Sequence, residues 1–198
     1  MKKVLVYIYY KFLEFYKLLF FLYLPNFLFI FKKTTIVNFK NIKNPAQKIF
    51  FTGQGSIIFK GKCHFGYKAG GFNYGGSIEI QPRFKSSKIL FGNNIHTNNN
   101  IFICAANSID IGDDVMIGQN VTIMDFEAHG IQPDKRKEIG SIGTIKIKQN
   151  VWIGNNVMIL KNSVIGENTI IAAGAIVSGT FRKNVIIGGV PAKVIKNL

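Results

Sequence analysis

Cysteine is nearly absent. Cys63 and Cys104 are the only two, far apart and in no C-x-x-C arrangement, which excludes a disulfide framework and a zinc ribbon and makes a reducing, cytoplasmic setting the expectation. Cys104 sits inside the apolar run 101–106 and reads as a small core residue rather than a nucleophile. Acidic residues are scarce as well, 10 against 25 Lys and Arg for a net charge of +15. That excess makes an anionic partner worth weighing: a nucleic acid, a phospholipid surface or a phosphorylated ligand. Nucleic acid is set aside, because the bases read as scattered and no recognised binding motif occurs.

An apolar run long enough to cross a bilayer is also missing. Residues 4–31 are rich in Phe, Tyr, Leu and Ile, but Lys11, Glu14 and Lys17 interrupt the first half and Pro25 the second. The longest uncharged run, 18–31, falls short of the ~20 apolar residues a spanning helix needs and contains a helix-breaking proline. The same charges, with no A-x-A site after them, argue against a cleavable signal peptide. Lys3, Tyr7, Lys11, Glu14 and Lys17 share one stripe at helical spacing, opposed by Val4, Ile8, Phe12, Phe15 and Leu19. The expectation is a helix lying in a membrane interface, at the inner face of the cytoplasmic membrane; its rival is a helix packed against the body of its own oligomer.

What the chain does have is a repeat. From Ile111 it divides into hexads: Ile111-Gly-Asp-Asp-Val-Met, Ile117-Gly-Gln-Asn-Val-Thr, then after an interruption Ile147-Lys-Gln-Asn-Val-Trp, Ile153-Gly-Asn-Asn-Val-Met, Ile159, Ile165, Ile171 and Val177. An aliphatic residue every six positions fits neither a 3.6-residue helix nor a long alternating strand, but it fits a solenoid of short strands and tight corners. An earlier frame runs through Phe91, Thr97, Ile103 and Ile109. Before Phe91 the frame blurs, with coil-like fragments at 53–58 and 75–80.

These hexads resemble the hexapeptide-repeat acyltransferases over roughly Lys48 to Val194. The resemblance implies an all-β fold, a left-handed parallel β-helix with three hexads per turn and about seven or eight coils. The expected division is a hydrophobic helical segment at 1–34 and a β-helix domain at 48–198 with a loop at 124–144.

That loop carries the expected chemistry. A long interruption in a rigid solenoid is usually functional, and acyl transfer to an alcohol needs a base, a role for which imidazole is well matched. Asp125-x-Glu127-x-His129 is similar to the D-x-[DE]-x-H segment of sugar O-acetyltransferases of the family, which implies His129 as catalytic base with Glu127 or Asp125 orienting it; strand alternation favours Glu127. The resemblance further implies acceptor contacts from Asn98 and Asn100, whose alternative is ordinary corner asparagines; a family aspartate is replaced by Ala105. Arg136 in the loop joins the acceptor-binding set.

The C-terminal stretches around Val151-Trp-Ile-Gly, 171–178 and Gly188-Gly-Val-Pro-Ala-Lys193 resemble the maltose, galactoside and antibiotic acetyltransferases. By that resemblance Trp152, Gly154, Ala173 and Gly174 flank the acetyl-pantetheine arm of acetyl-CoA, Ser178 lies near the adenine end, and Lys193 and Lys196 meet phosphates, for which ammonium groups are effective partners. His64 and His96 prompt comparison with the zinc sites of gamma-class carbonic anhydrases, but the three histidines lack the closely spaced pair, so no metal is expected. The implied assembly is a homotrimer transferring acetyl directly from acetyl-CoA to a sugar hydroxyl of a surface glycan or its lipid-linked precursor. Serine, antibiotic and amino-sugar acceptors are alternatives, as is a non-enzymatic β-helical scaffold.

Overall fold

The computed structural model describes residues 2–27 and 34–198; residues 28–31 of the hydrophobic segment therefore lie outside the described residues. From Thr35 onward the chain winds as a three-faced solenoid in which each strand pairs, in parallel, with the strand one coil later. The first sheet has seven strands, from Thr35–Val37 through Ser56–Phe59, Lys88–Phe91, Ser108–Ile111, Thr144–Ile147 and Val164–Ile165 to Thr180–Phe181. The second runs from Cys63–His64 through Ile95–Thr97, Met116–Ile117, Trp152–Ile153 and Ile170–Ile171 to Val185–Gly189, and Ala192–Asn197 is added to it antiparallel. The third has six strands, from Lys48–Phe51 to Ile176–Val177.

The hexad explains this winding position by position. Its first and fifth residues point inward: Ile147, Val151, Ile153, Val157, Ile159 and Ile165 are all buried. Each such side chain taken from water is worth roughly 1.5–3 kcal/mol, and the stacked register repeats the gain at every coil. The fourth residue turns the corner in the left-handed backbone region: Asp114, Asn120, Asn150, Asn156, Asn162 and Asn168 have φ of 54 to 62°, and Gly174 takes the same place at 73°. Asn and Asp visit that region most readily among residues with a Cβ, which is why they recur there. The second-position glycines serve another need. A Cβ on Gly154 would come 2.7 Å from the Ala173 nitrogen, and one on Gly166 2.4 Å from that of Lys183.

Two departures from the sequence pattern mark the ends. The solenoid starts earlier than Lys48, because Thr35–Val37 pairs with Ser56–Ile58. It stops at Gly189 rather than Val194, because the chain reverses and Ala192–Asn197 runs back along Val185–Gly189. At the amino-terminal end a helix, Lys2–Leu18, continues as a wider turn, Leu19–Tyr23, and a last helical turn, Leu24–Phe27. Leu22 is buried there and joins the core, and Asn26 bridges to the first coil through Ile49 O and Phe51 N.

Candidate active site

The interruption between Met124 and Thr144 folds as a two-stranded ribbon. Glu127 N donates to Ser141 O, Gly140 N to Glu127 O and Gly130 N to Glu138 O, and a turn at Pro133–Lys135 closes the tip. Phe126 seats the ribbon on the solenoid, buried with Cys104 and Ala106 beneath the Arg83 guanidinium, 5.2 Å from the ring centroid. His129 is exposed near the tip, with Nδ1 2.7 Å from the Arg136 carbonyl oxygen. A carbonyl can only accept, so Nδ1 carries a proton, and in the neutral ring Nε2 is then the basic nitrogen.

The orienting group is thus a backbone carbonyl, not the carboxylate that the sequence suggested. Asp125 is fully buried and its two oxygens accept from Ala106 N at 2.6 Å and Asn107 N at 3.0 Å, tying the ribbon's root to the corresponding corner of the preceding coil. Burial pushes its carboxyl above the ordinary aspartate range, against the pull of those amides. Glu127 is engaged by Lys161 Nζ at 3.1 Å and Ser141 N at 3.2 Å, which hold it below the usual carboxylate range. Both acids therefore shape the loop that presents His129. The two cysteines are buried thiols pushed up to about 12 by desolvation, which agrees with the reading of Cys104 as a core residue.

The other predicted residues gather on the second sheet and at its corner with the third. There a groove of about 280 Å³ is lined by His64, Tyr67, His96, Asn98, Met116 and Trp152 among others. In register across successive coils, one outward column runs His64, His96, Met116, Trp152, Ile170, Ile186, Lys196. Gly154, Ala173 and Gly174 fall at the adjoining corner, where Gly174 N donates to Asn155 O. Lys193 is exposed on the terminal strand, opposite Gly188. Ser178 is not brought to this group; it follows Ile176–Val177 at the corner between the third and first sheets.

Of the three asparagines, only Asn98 reaches the groove. Asn100 is a corner residue at φ 59° whose side-chain amide donates to Asn120 Oδ1, so the corner alternative holds for it. Buried Asn99 clamps the glycine-rich loop that follows Cys63–His64, bonding Tyr67 N, Tyr67 O and Gly71 O. Arg136 contributes its carbonyl to His129 while its side chain lies exposed. Sequence reasoning missed His64 and His96 as groove residues. They stack at 4.6 Å, 9° from parallel, and His96 stands immediately before a hexad's first residue, as Met116 and Trp152 do. Among the described residues, no group of three or more His, Cys, Asp or Glu side chains is placed to hold a metal ion.

The chain is 34% identical over 175 residues to an Escherichia coli K12 protein named as a lipopolysaccharide biosynthesis O-acetyl transferase, WbbJ, with 82% of each covered. It belongs to the hexapeptide-repeat acetyltransferases. The bacterial transferase hexapeptide (six repeats) family matches residues 144–179. A galactoside O-acetyltransferase of the same bacterium is 36% identical over 64% of this chain and 57% of its own length. The solved structure of a galactoside acetyltransferase in complex with coenzyme A superposes with a TM-score of 0.50 at 25% identity, covering 82% of this chain and 64% of that one. The solenoid is thus the left-handed parallel β-helix of this acetyltransferase family.

Proposed function

We propose that the chain transfers the acetyl group of acetyl-CoA to a hydroxyl of a sugar, in a surface glycan or its lipid-linked precursor, with His129 as general base. One observation carries this: the hydrogen bond from His129 Nδ1 to the Arg136 carbonyl, which in the neutral imidazole makes Nε2 the basic nitrogen of an exposed side chain. Nε2 takes the proton of the attacking hydroxyl and returns it to the departing thiolate, so the imidazole ends as it began. Acetyl-CoA supplies a thioester carbonyl that this oxygen attacks, with the CoA thiolate leaving. A base so positioned contributes roughly 10²- to 10⁴-fold. Asp125 and Glu127 are positioning residues in this reading, acting through the ribbon.

The column on the second sheet suits the donor. Met116, Trp152, Ile170 and Ile186 offer an outward strip three rungs long, ~14 Å at the ~4.8 Å spacing of paired strands, and Lys196 ends it. An apolar strip ending in an ammonium group matches a pantetheine arm followed by phosphates, and the complex of galactoside acetyltransferase with coenzyme A supports the same donor. The sugar class rests on the names of the relatives, a lipopolysaccharide O-acetyl transferase and a galactoside O-acetyltransferase.

The His129 ribbon leaves the corner between the third and first sheets, the vertex opposite the second sheet that carries Trp152. A homotrimer, in which the ribbon of one β-helix meets the groove of its neighbour, unites them. The test is thiol release from acetyl-CoA by wild-type and His129→Ala protein with a panel of nucleotide sugars and glycan acceptors and a no-acceptor control. The expected result is acceptor-dependent release that falls at least 100-fold, the low end of a general base's contribution. Equal release from both proteins would remove His129 as the base, and silence from both with no CoA binding would favour a scaffold.

A further inference from the structure

Among the described residues, the helix Lys2–Leu18 meets the solenoid near its far end, through Leu18 and the following Leu22, Tyr23 and Asn26. Ahead of that point its large apolar side chains stand in solvent on nearly every side: Leu5 is 60% exposed, Ile8 56%, Tyr9 61%, Phe12 66% and Phe15 59%. Lys11, Glu14 and Lys17 lie on the polar stripe of this stretch, and Lys11 and Glu14 pair with each other at 3.2 Å. A seam between helices of neighbouring copies buries a narrow stripe. Here the apolar arc opposite the charged stripe runs from Val4 through Phe15, Ile8, Phe12 and Leu5 to Tyr9, all exposed and wider than such a seam.

Charge supplies a second, independent observation. The basic residues are not scattered, as a first reading of the composition suggests. Between Glu14 and Glu79 the chain has nine lysines and no acidic residue. Lys40, Lys48, Lys60 and Lys62 of that stretch are exposed on the first coils, the end of the solenoid from which the helix projects. Tyrosine is concentrated at the same end: five of the seven lie in the helical segment, at 7, 9, 10, 16 and 23. Tyrosine favours the headgroup level of a bilayer, and a lysine near an anionic lipid surface strengthens binding about fivefold.

We infer that the amino-terminal helix and the lysines of the first coils together form a docking surface for an anionic lipid bilayer, with the helix lying in the headgroup region rather than crossing. Among the described residues no helix is long and apolar enough to cross a membrane. The wide apolar arc enters the lipid, the stripe at Lys11, Glu14 and Lys17 faces water, and the basic end of the solenoid meets the headgroups. The His129 ribbon leaves the third sheet three rungs from its first strand, ~14 Å along the solenoid, so a sugar carried on a membrane lipid reaches the proposed site without leaving the bilayer.

The experiment is co-sedimentation of the full chain with vesicles of phosphatidylcholine alone or mixed equally with phosphatidylglycerol, at low and high salt. Three proteins are compared: wild type, Ile8→Glu/Phe12→Glu and Lys60→Glu/Lys62→Glu. Wild type is expected to bind the mixed vesicles at least tenfold better than phosphatidylcholine alone and to lose that preference in salt; each variant is expected to lose at least tenfold. Both substitutions fall on exposed side chains, so an unchanged thermal transition of the solenoid shows that the variants are folded. Wild type remaining in the supernatant with both vesicles, Ile8→Glu/Phe12→Glu binding like wild type, or equal binding to both lipids overturns the inference. So does a change of mass in lipid-free buffer caused by Phe12→Glu without any vesicle binding, which would assign the helix to a second copy. The readout is independent of acetyl transfer, so a failure of the proposed activity and a failure of the docking surface are told apart.

Discussion

His129 shows how little of the setting of a proposed catalytic base is written in side chains. The Arg136 carbonyl that orients it belongs to the backbone seven residues on, and no residue type in a sequence announces it. The carboxylates, which a sequence does announce, turn out to work on the ribbon: Asp125 from inside the solenoid and Glu127 through Lys161 and Ser141. The Glu127 contact has a pH signature of known sign. Its carboxyl lies below the ordinary glutamate value, ~4.3, first because of Lys161 and then because of the Ser141 amide. A depressed carboxylate contributes above its unfolded value and ceases to contribute as pH falls through the folded one. The ribbon is therefore expected to be fully braced at neutral pH and to loosen as pH falls below ~4.3. Hydrogen exchange at the Gly140 and Ser141 amides checks this: protection should fall with acid in the wild type, and Glu127→Gln should show the loosened rate already at neutral pH. Unchanged protection in Glu127→Gln would mean that the backbone ribbon alone holds the loop.

At the scale of the element, the hexad is a code for corners as much as for a core. The fourth-position asparagines do two jobs, taking up positive φ and bonding to the asparagine one coil away, as Asn120 does with Asn100 and Asn156 at 2.9 and 2.8 Å. Replacing Asn120 by Ala puts an ordinary Cβ in the left-handed region, roughly 1–2 kcal/mol, and removes both rungs of the ladder at about 0.5–1.5 kcal/mol each. Asn120→Gly relieves the first cost and keeps the second. Thermal unfolding should therefore rank wild type above Asn120→Gly above Asn120→Ala; equal melting of the two variants would show that backbone strain is not what selects asparagine there. The same code explains which parts of the fold were legible. From Ile111 on, aliphatic, glycine and asparagine positions repeat on both sides of the 124–144 loop, and strands, corners and inward faces follow directly. Before Phe91 the core is filled by Phe51, Phe59 and Phe65, which stand on the three faces of one coil and pack edge to face within it, and the glycine-rich loop clamped by Asn99 breaks the period. The strand Thr35–Val37 has no repeat to reveal it, since its identity comes only from pairing with Ser56–Ile58. The groove histidines were legible in principle, since His96 keeps the frame position of Met116 and Trp152; they were weighed only as metal ligands.

At the scale of the whole molecule, the three-faced cross-section decides what one chain can do alone. A prism whose second face carries Trp152 and whose opposite vertex carries the His129 ribbon holds the two halves of the proposed site apart, and the hexads, being local, say nothing about how copies meet. Closed rotational symmetry is the ordinary solution for identical chains, and the threefold ring proposed above would bring the ribbon of each subunit to the groove of the next in a heterologous contact. Co-expression of two inactive variants tests this. In a mixed trimer of His129→Ala and Trp152→Ala chains, purified through two different tags, only one junction pairs an intact ribbon with an intact groove. Such trimers are expected to show roughly a third of wild-type thiol release, while each variant alone stays near background. If ribbon and groove of the same chain formed the site, every site in the mixture would carry one lesion and the mixed trimers would be as inactive as their parents.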